Sequence, residues 1–148
     1  MRYNKKIQSM GFLRIIRRLL LLCCLCGCGN GFVYEEHLTG NYYLIGVDSK
    51  EDMSVSYYDK EFDVFLGIGG NGVREVGFDE QFILVRKYKE LETYRYDKSC
   101  LEYYIIPIDN TQYATDAQEN CFGPFDEQGF AAKRCELGVS NRIILEKK

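Results

Sequence analysis

The sequence predicts an α+β domain, mostly antiparallel β-structure, with six or seven short strands and one C-terminal helix. Three observations lead there. Short runs rich in Tyr, Phe, Ile and Val recur between residues 41 and 108, separated by clusters of Gly, Asp, Asn and Ser. A single later stretch, residues 126–138, carries the start and stop signals of a helix. Finally, 148 residues with 46% hydrophobic and 28% charged side chains suit one domain with a real core and are too few for two. That composition also excludes a disordered or collagen-like chain.

Taken in order, Asn41 to Val47 reads as the first strand, closed by the polar turn Asp48-Ser49-Lys50-Glu51-Asp52. Met53 to Tyr57 alternates apolar and polar residues with period two, as a strand with one wet face does. Asp63 to Ile68 follows and runs into the glycine cluster 67–72. Val73 to Phe78 and Phe82 to Tyr88 are two further strands, joined by the turn Asp79-Glu80. Lys89 to Ser99 is charged and reads as an exposed loop. Leu101 to Ile108 has the highest β-propensity, and Pro107, which cannot donate to a ladder, places it at an edge or marks its end. Asp109 to Asn120 is polar and irregular. Gly123 to Gly129 opens the helix, with Asp126 as N-cap, basic Lys133-Arg134 at its far end and Gly138 as its stop. Asn141 to Glu146 is expected to return as a last short strand.

The formal charge of −3 averages two unlike pieces. Residues 1–27 hold six of the 19 basic side chains (Arg2, Lys5, Lys6, Arg14, Arg17, Arg18) and none of the 22 acidic ones, which leaves −9 on residues 28–148. The basic stretch ends at Arg17-Arg18 and the apolar run Leu19 to Cys26 follows. Eight residues span about 12 Å as a helix against roughly 30 Å of bilayer hydrocarbon, and extending the run to Met10 takes in three arginines. This is the make-up of a secretory signal rather than a spanning helix.

Leu25-Cys26-Gly27-Cys28 resembles the lipobox of bacterial lipoproteins. The resemblance implies a diacylglycerol thioether on Cys28, cleavage after Gly27 and acylation of the new amino terminus. Cys26 stands where Ala, Ser or Thr is more usual. The expected organisation is a signal peptide over residues 1–27, a lipidated tether over 28–38 and a β-rich domain over 39–148, with Met10 as an alternative start. Two or three acyl chains at about 0.8 kcal/mol per buried methylene hold such a protein on a membrane, with the domain itself free to be soluble. Gly29 is not the Asp that retains many such proteins at the inner membrane, so an outer-membrane destination is favoured in a Gram-negative source.

Beyond Cys28 three cysteines remain, Cys100, Cys121 and Cys135. A bridge between Cys121 and Cys135 would close a short loop and contribute roughly 3 kcal/mol; three reduced thiols are the equal alternative. No metal site is expected, since no Cys-x-x-Cys pair follows Cys28 and His37 is the only histidine.

Gly67-Ile68-Gly69-Gly70-Asn71-Gly72 contains G-x-G-x-x-G, but strand-like Val73-Arg74-Glu75-Val76 follows where a dinucleotide site needs a helix. The glycines read as a loop between strands, and neither nucleotide nor any other cofactor is expected. His37 is poorly placed for Ser-His-Asp or Cys-His chemistry. Asp109-Asn110, Asp116 and Glu119 lack the spacing of a calcium loop. A domain of −9 repels nucleic acid. Adjacent tyrosines (Tyr42-Tyr43, Tyr57-Tyr58, Tyr103-Tyr104) point to opposite faces of a strand, one ring in and one out. The outer rings are candidates for an aromatic binding face.

Leu38 to Leu44, Val76 to Ile83, Tyr103 to Ile106 and Gly123 to Gly138 together resemble a family of small bacterial lipoproteins grouped only as a domain of unknown function. The resemblance spans about residues 38–138 and implies a fold without naming catalytic residues. The expected function is a non-enzymatic, membrane-anchored domain of the cell envelope that binds a partner, for which its charge favours a basic protein. One form of this is an inhibitor or immunity lipoprotein acting on a basic envelope enzyme or toxin. The rival class is a small hydrolase using paired carboxylates.

Overall fold

The computed structural model describes residues 31–92, 95–108 and 113–148. The basic signal, the lipobox and Cys28 lie outside the described residues. Residues 32–148 form one compact unit.

The first four strands are a meander. β1 (Tyr34–Thr39), β2 (Tyr42–Gly46), β3 (Ser54–Asp59) and β4 (Val64–Ile68) pair antiparallel in the order β1-β2-β3-β4, here called sheet A. A glycine loop leads to β5 (Val73–Phe78), which pairs with β6 (Phe82–Leu91), and β6 with β7 (Arg95–Pro107). Helix α1 (Ala114–Glu119), strand β8 (Phe122–Phe125), helix α2 (Glu127–Glu136) and the two-residue β9 (Glu146–Lys147) complete the chain. Sheet B has the order β8-β7-β6-β5-β9, again antiparallel.

Two hydrophobic clusters define the layers. Leu38, Tyr42, Leu44, Val55, Tyr57 and Ile68 of sheet A meet Val73, Val76, Ile83, Val85 and Ile106 of sheet B. On the far side of sheet B, Leu84, Tyr103 and Ile105 pack against Phe130 of α2 and against Val139 and Ile143 of the returning chain. Sheet B is therefore covered on both faces. This explains why Ile83-Leu84-Val85 and Ile105-Ile106 are continuous apolar runs instead of alternating ones, because successive side chains enter different clusters.

The helix signals act as expected. Asp126 caps α2, its Oδ1 accepting from the Gly129 amide at 2.7 Å. At the other end Leu137 is the C-cap, and Gly138 adopts φ +67°. The Gly138 amide donates to Cys135 O and the Val139 amide to Arg134 O, the two bonds of a Schellman motif. Pro107 is the last residue of β7, which is an interior strand that ends there.

Several expectations are corrected. The fold class is the expected α+β with mostly antiparallel strands, but the described residues hold nine strands and two α-helices in place of six or seven and one. Residues 34–38, expected in the tether, belong to β1, and a bulge between His37 and Thr39 breaks the alternation that would have shown it. The expected loop 89–99 is the projecting end of the β6–β7 hairpin, with Lys89 opposite Asp97 and Leu91 opposite Arg95. Among its described residues Lys89, Leu91, Arg95 and Lys98 are exposed and none is fully buried, so no hydrophobic period marks it. Residues 114–119 form α1, whose buried Ala114 and Ala117 face the inner cluster. The last strand is only Glu146–Lys147.

Candidate functional site

The outer face of sheet A carries a connected group of rings. Strand alternation turns Tyr42, Leu44, Val55 and Tyr57 into the inner cluster and Tyr43, Ile45, Ser54, Ser56 and Tyr58 to the opposite face, where Tyr43 and Tyr58 are half-buried and Ile45, Ser54 and Ser56 are buried. Register then places His37, Tyr43, Ser56 and Gly67 in one row across the four strands and Tyr58 beside Phe65 in the next. Phe65 is the hub. Its ring centroid is 5.2 Å from Phe32, 5.2 Å from Tyr43 and 4.9 Å from Tyr58. Tyr43 is edge-on to His37 at 4.9 Å. Each contact lies in the range of aromatic pairs that gain beyond buried area. The centre of the face is small, with Ser54 and Ser56 bonded Oγ to Oγ at 3.1 Å.

Polar tips border the rings. Tyr58 donates its hydroxyl to Asp63 Oδ1 at 2.6 Å, and that hydrogen bond holds the phenol above its ordinary range. Asp59 Oδ1 accepts from the Glu61 and Phe62 amides and fixes the β3–β4 turn, which leaves Phe62 66% exposed beside Val64. The expectation of one ring in and one out holds for Tyr42-Tyr43 and Tyr57-Tyr58. It fails for Tyr103-Tyr104, since β7 is covered on both sides and both rings enter clusters. Val64, Phe65 and Leu66 are consecutive apolar residues, so it is the register of β4 on β3 that places Phe65 on this face. Phe32 falls in the segment read as tether and has no periodic signal.

A second cluster lies under the glycine loop. Lys87 is 3% exposed, donates from Nζ to Gly69 O at 2.8 Å and sits 5.4 Å from the centre of the Tyr104 ring. Burial pushes its ammonium below the usual lysine range, against the opposing pull of Glu102 and Glu90. Burial likewise raises the Cys121 thiol to about 11. Gly70 and Gly72 adopt φ +80° and +87°, and a Cβ at Gly72 would also come within 2.7 Å of the Tyr96 ring. The loop leads into β5, a strand, so the helix that a dinucleotide site needs is absent there. The buried position of Lys87 was legible only from its parity with Ile83 and Val85.

The remaining candidates are placed as follows. His37 is exposed on β1, with Nε2 2.9 Å from Gly40 O. Cys100, Cys121 and Cys135 are free thiols, so the Cys121–Cys135 bridge is not formed; Cys121 packs on the inner cluster and Cys135 is exposed on α2. The buried carboxylate of Glu75 is paired with Arg86. Among the described residues no group of three His, Cys, Asp or Glu could hold a metal ion. No described helix is long and apolar enough to cross a membrane. An open depression of about 500 Å³ lies beside α2, lined by Arg134, Cys135 and Val139, and a smaller one of about 140 Å³ lies near Tyr88 and Tyr96.

A family model described as "Protein of unknown function (DUF3997)" matches residues 39–148, about three quarters of the chain. The chain belongs to the DUF3997 family. No curated protein and no solved structure matches it. The matched span begins at Thr39, so within this DUF3997 protein it leaves out Phe32 and most of β1, and contains the other rings around Phe65.

Proposed function

We propose that this DUF3997 protein is a lipid-anchored, non-enzymatic domain of the cell envelope that works by binding. The anchor is the diacylglycerol on Cys28. The observation that carries the reading is the aromatic outer face of sheet A, whose first ring, Phe32, stands four positions after the lipobox cysteine. Half-buried rings gathered on one side of a sheet and rimmed by the exposed Phe62 and Val64 are the chemistry of a contact surface. The two described buried carboxylates also have structural duties, Glu75 with Arg86 and Asp59 in its turn, which favours binding over carboxylate chemistry.

The charge of −9 on residues 28–148 supports a basic protein as the partner on the polar remainder of the domain, as for an inhibitor or immunity lipoprotein. Fractionation tests the anchor: wild type should pellet with membranes and Cys28→Ala should move to the soluble fraction. Retention of Cys28→Ala in the pellet overturns the anchor. A pull-down from envelope extract tests the partner, with capture expected at low salt and reduced at high salt. Capture at neither salt overturns the basic partner.

A further inference from the structure

We propose that the depression between the Lys50–Asp52 turn and the β6–β7 hairpin is a binding site for a small free carboxylate with a flat body of about benzoate size. The site is independent of the lipid anchor and of any protein partner.

Two irregularities in the sheet supply its cations. β5 and β6 pair Val73 with Lys87 and Glu75 with Arg86, so Arg74 is the extra residue of a bulge. β6 and β7 pair Tyr88 with Leu101 and then Lys89 with Asp97, so Lys98, Ser99 and Cys100 form a wider one. The Ser99 amide donates to Asp97 Oδ1 at 2.9 Å and fixes the start of that bulge. Bulges re-aim a side chain at the expense of regular pairing and gather beside functional sites. Here two of them, involving different strands, bring Arg74 and Lys98 to the wall of one depression, which Tyr88, Tyr96 and Glu51 complete.

The wall has spare donors. The Arg74 guanidinium lies over the Tyr88 ring, 5.2 Å from its centre, and among the described residues it has no carboxylate partner. A guanidinium over a ring keeps its edge donors for a bidentate carboxylate. Lys98 Nζ meets Glu51 Oε1 at 3.2 Å, but both side chains are exposed, so this pair opens at little cost. Tyr96 is fixed by contrast. Its hydroxyl donates to Asp52 Oδ1 at 2.8 Å, Asp52 Oδ2 accepts from Ser49 at 2.7 Å, and its ring lies against Gly72.

Charge and size select the ligand. Arg74 and Lys98 against Glu51 leave the wall at +1, the complement of one carboxylate. Asp52 behind Tyr96 adds a negative charge and disfavours a dianion such as a phosphate monoester. The volume of about 140 Å³ is close to the roughly 150 Å³ that holds a benzene, and two tyrosine rings offer faces to a flat body. The depression beside α2 lacks both features. No ring lines it, and Arg134 Nη2 is spent on Ser140 O at 2.9 Å.

The experiment titrates the purified full chain with benzoate and follows amide NMR shifts. Benzoate should move the Arg74, Tyr88, Tyr96 and Lys98 amides with millimolar affinity and leave those of Ala131 and Cys135, beside the other depression, in place. Arg74→Met, checked for folding by its thermal transition, should weaken binding tenfold or more. Glu51→Gln, at an exposed position, should tighten it severalfold, because Lys98 is released to the ligand and a like charge is gone. Absence of shifts at the four amides in tens of millimolar benzoate overturns the site. Unchanged affinity in Glu51→Gln likewise overturns it, whatever Arg74→Met does. Benzamide binding as tightly as benzoate overturns the recognition of charge, and inorganic phosphate binding as tightly overturns the flat body. A peptide with a C-terminal Phe carboxylate that binds tenfold tighter than benzoate makes the depression a seat for a chain end and overturns the free acid.

Discussion

Lys87 Nζ donates to the Gly69 carbonyl at 2.8 Å and so ties strand β6 to the glycine loop between the two sheets. Burial holds this ammonium below the usual lysine range, so the folded protein favours the neutral amine more than the unfolded chain does. Between the folded value and the ordinary lysine value of 10.5 the unfolded chain binds more protons, and stability rises with pH across that window. Lys87→Met keeps the apolar stem and removes the titration. Wild type should therefore gain on Lys87→Met in urea unfolding as pH is raised toward about 10.5. A difference independent of pH would show that the ammonium is solvated.

Three glycines should rank by what surrounds them. Gly77 lies against the Ile144 backbone, so a Cβ there would overlap the Ile144 carbonyl oxygen. Gly72 combines φ +87° with a Cβ position 2.7 Å from the Tyr96 ring. Gly138 has φ +67° and open space around it. Gly138→Ala should cost about 1 kcal/mol, the left-handed conformation alone. Gly77→Ala and Gly72→Ala should each cost more, about 2 kcal/mol or above, because neighbours must also move. Thermal melts of the three variants measure the order, and an equal loss at all three would mean that backbone conformation alone sets the cost.

What was legible in the residues, and what was not, follows from where a hydrophobic period survives. Residues 53–57 alternate because one face of β3 is core, and the alternation turns Tyr57 in and Tyr58 out. The caps of α2 are local chemistry at Asp126 and Gly138 and were read within one residue. Strand β1 shows no regular period because its register shifts between His37 and Thr39. The end of the hairpin carries no period because its described residues 89–92 and Arg95 are exposed or only half-buried. Of the aromatic face, the tyrosines announced themselves as adjacent pairs, whereas their meeting at Phe65 depends on the register between β3 and β4, a long-range property that one strand's sequence does not contain.

The double coverage of sheet B makes its own prediction. Ile83 and Leu84 are adjacent and both fully buried, but belong to different clusters. Each truncation to Ala should cost about 2–5 kcal/mol. Were one face of β6 wet, one of the two would be nearly silent. Urea unfolding of Ile83→Ala and Leu84→Ala decides, and a cost below about 0.5 kcal/mol for either would contradict the three-layer arrangement.

The thiols should differ in reactivity. Cys135 is exposed on α2, whereas Cys121 packs on the inner cluster and burial raises its thiol to about 11. At about pH 8 little Cys121 thiolate forms, and the reagent must also reach it through the fold. Iodoacetamide followed by peptide mapping should modify Cys135 well before Cys121, and denaturant should remove the gap. Equal rates in the native protein would place Cys121 at the surface.

The C-terminal residue holds the first strand. Lys148 donates from Nζ to Glu36 Oε1 at 2.7 Å, joining the end of the chain to β1, the strand nearest the expected anchor. Burial of Glu36 raises its carboxyl, but the hydrogen bonds from Lys148 and Tyr34 outweigh this and hold it below the usual range. The resulting stability is present above the unfolded value near 4.5 and is lost as pH falls through the folded one. Glu36→Gln should cost about 1 kcal/mol or less globally, since the pair is partly solvated. Its local effect should be larger, because β1 is an edge strand with one neighbour, β2, and opens below the global barrier. Hydrogen exchange near neutral pH should therefore quicken severalfold in the β1 amides of Glu36→Gln and leave β6 unchanged. At a pH low enough to protonate Glu36 in the wild type, the two proteins should exchange alike in β1. A difference that persists there would mean that the variant perturbs packing and not the ion pair.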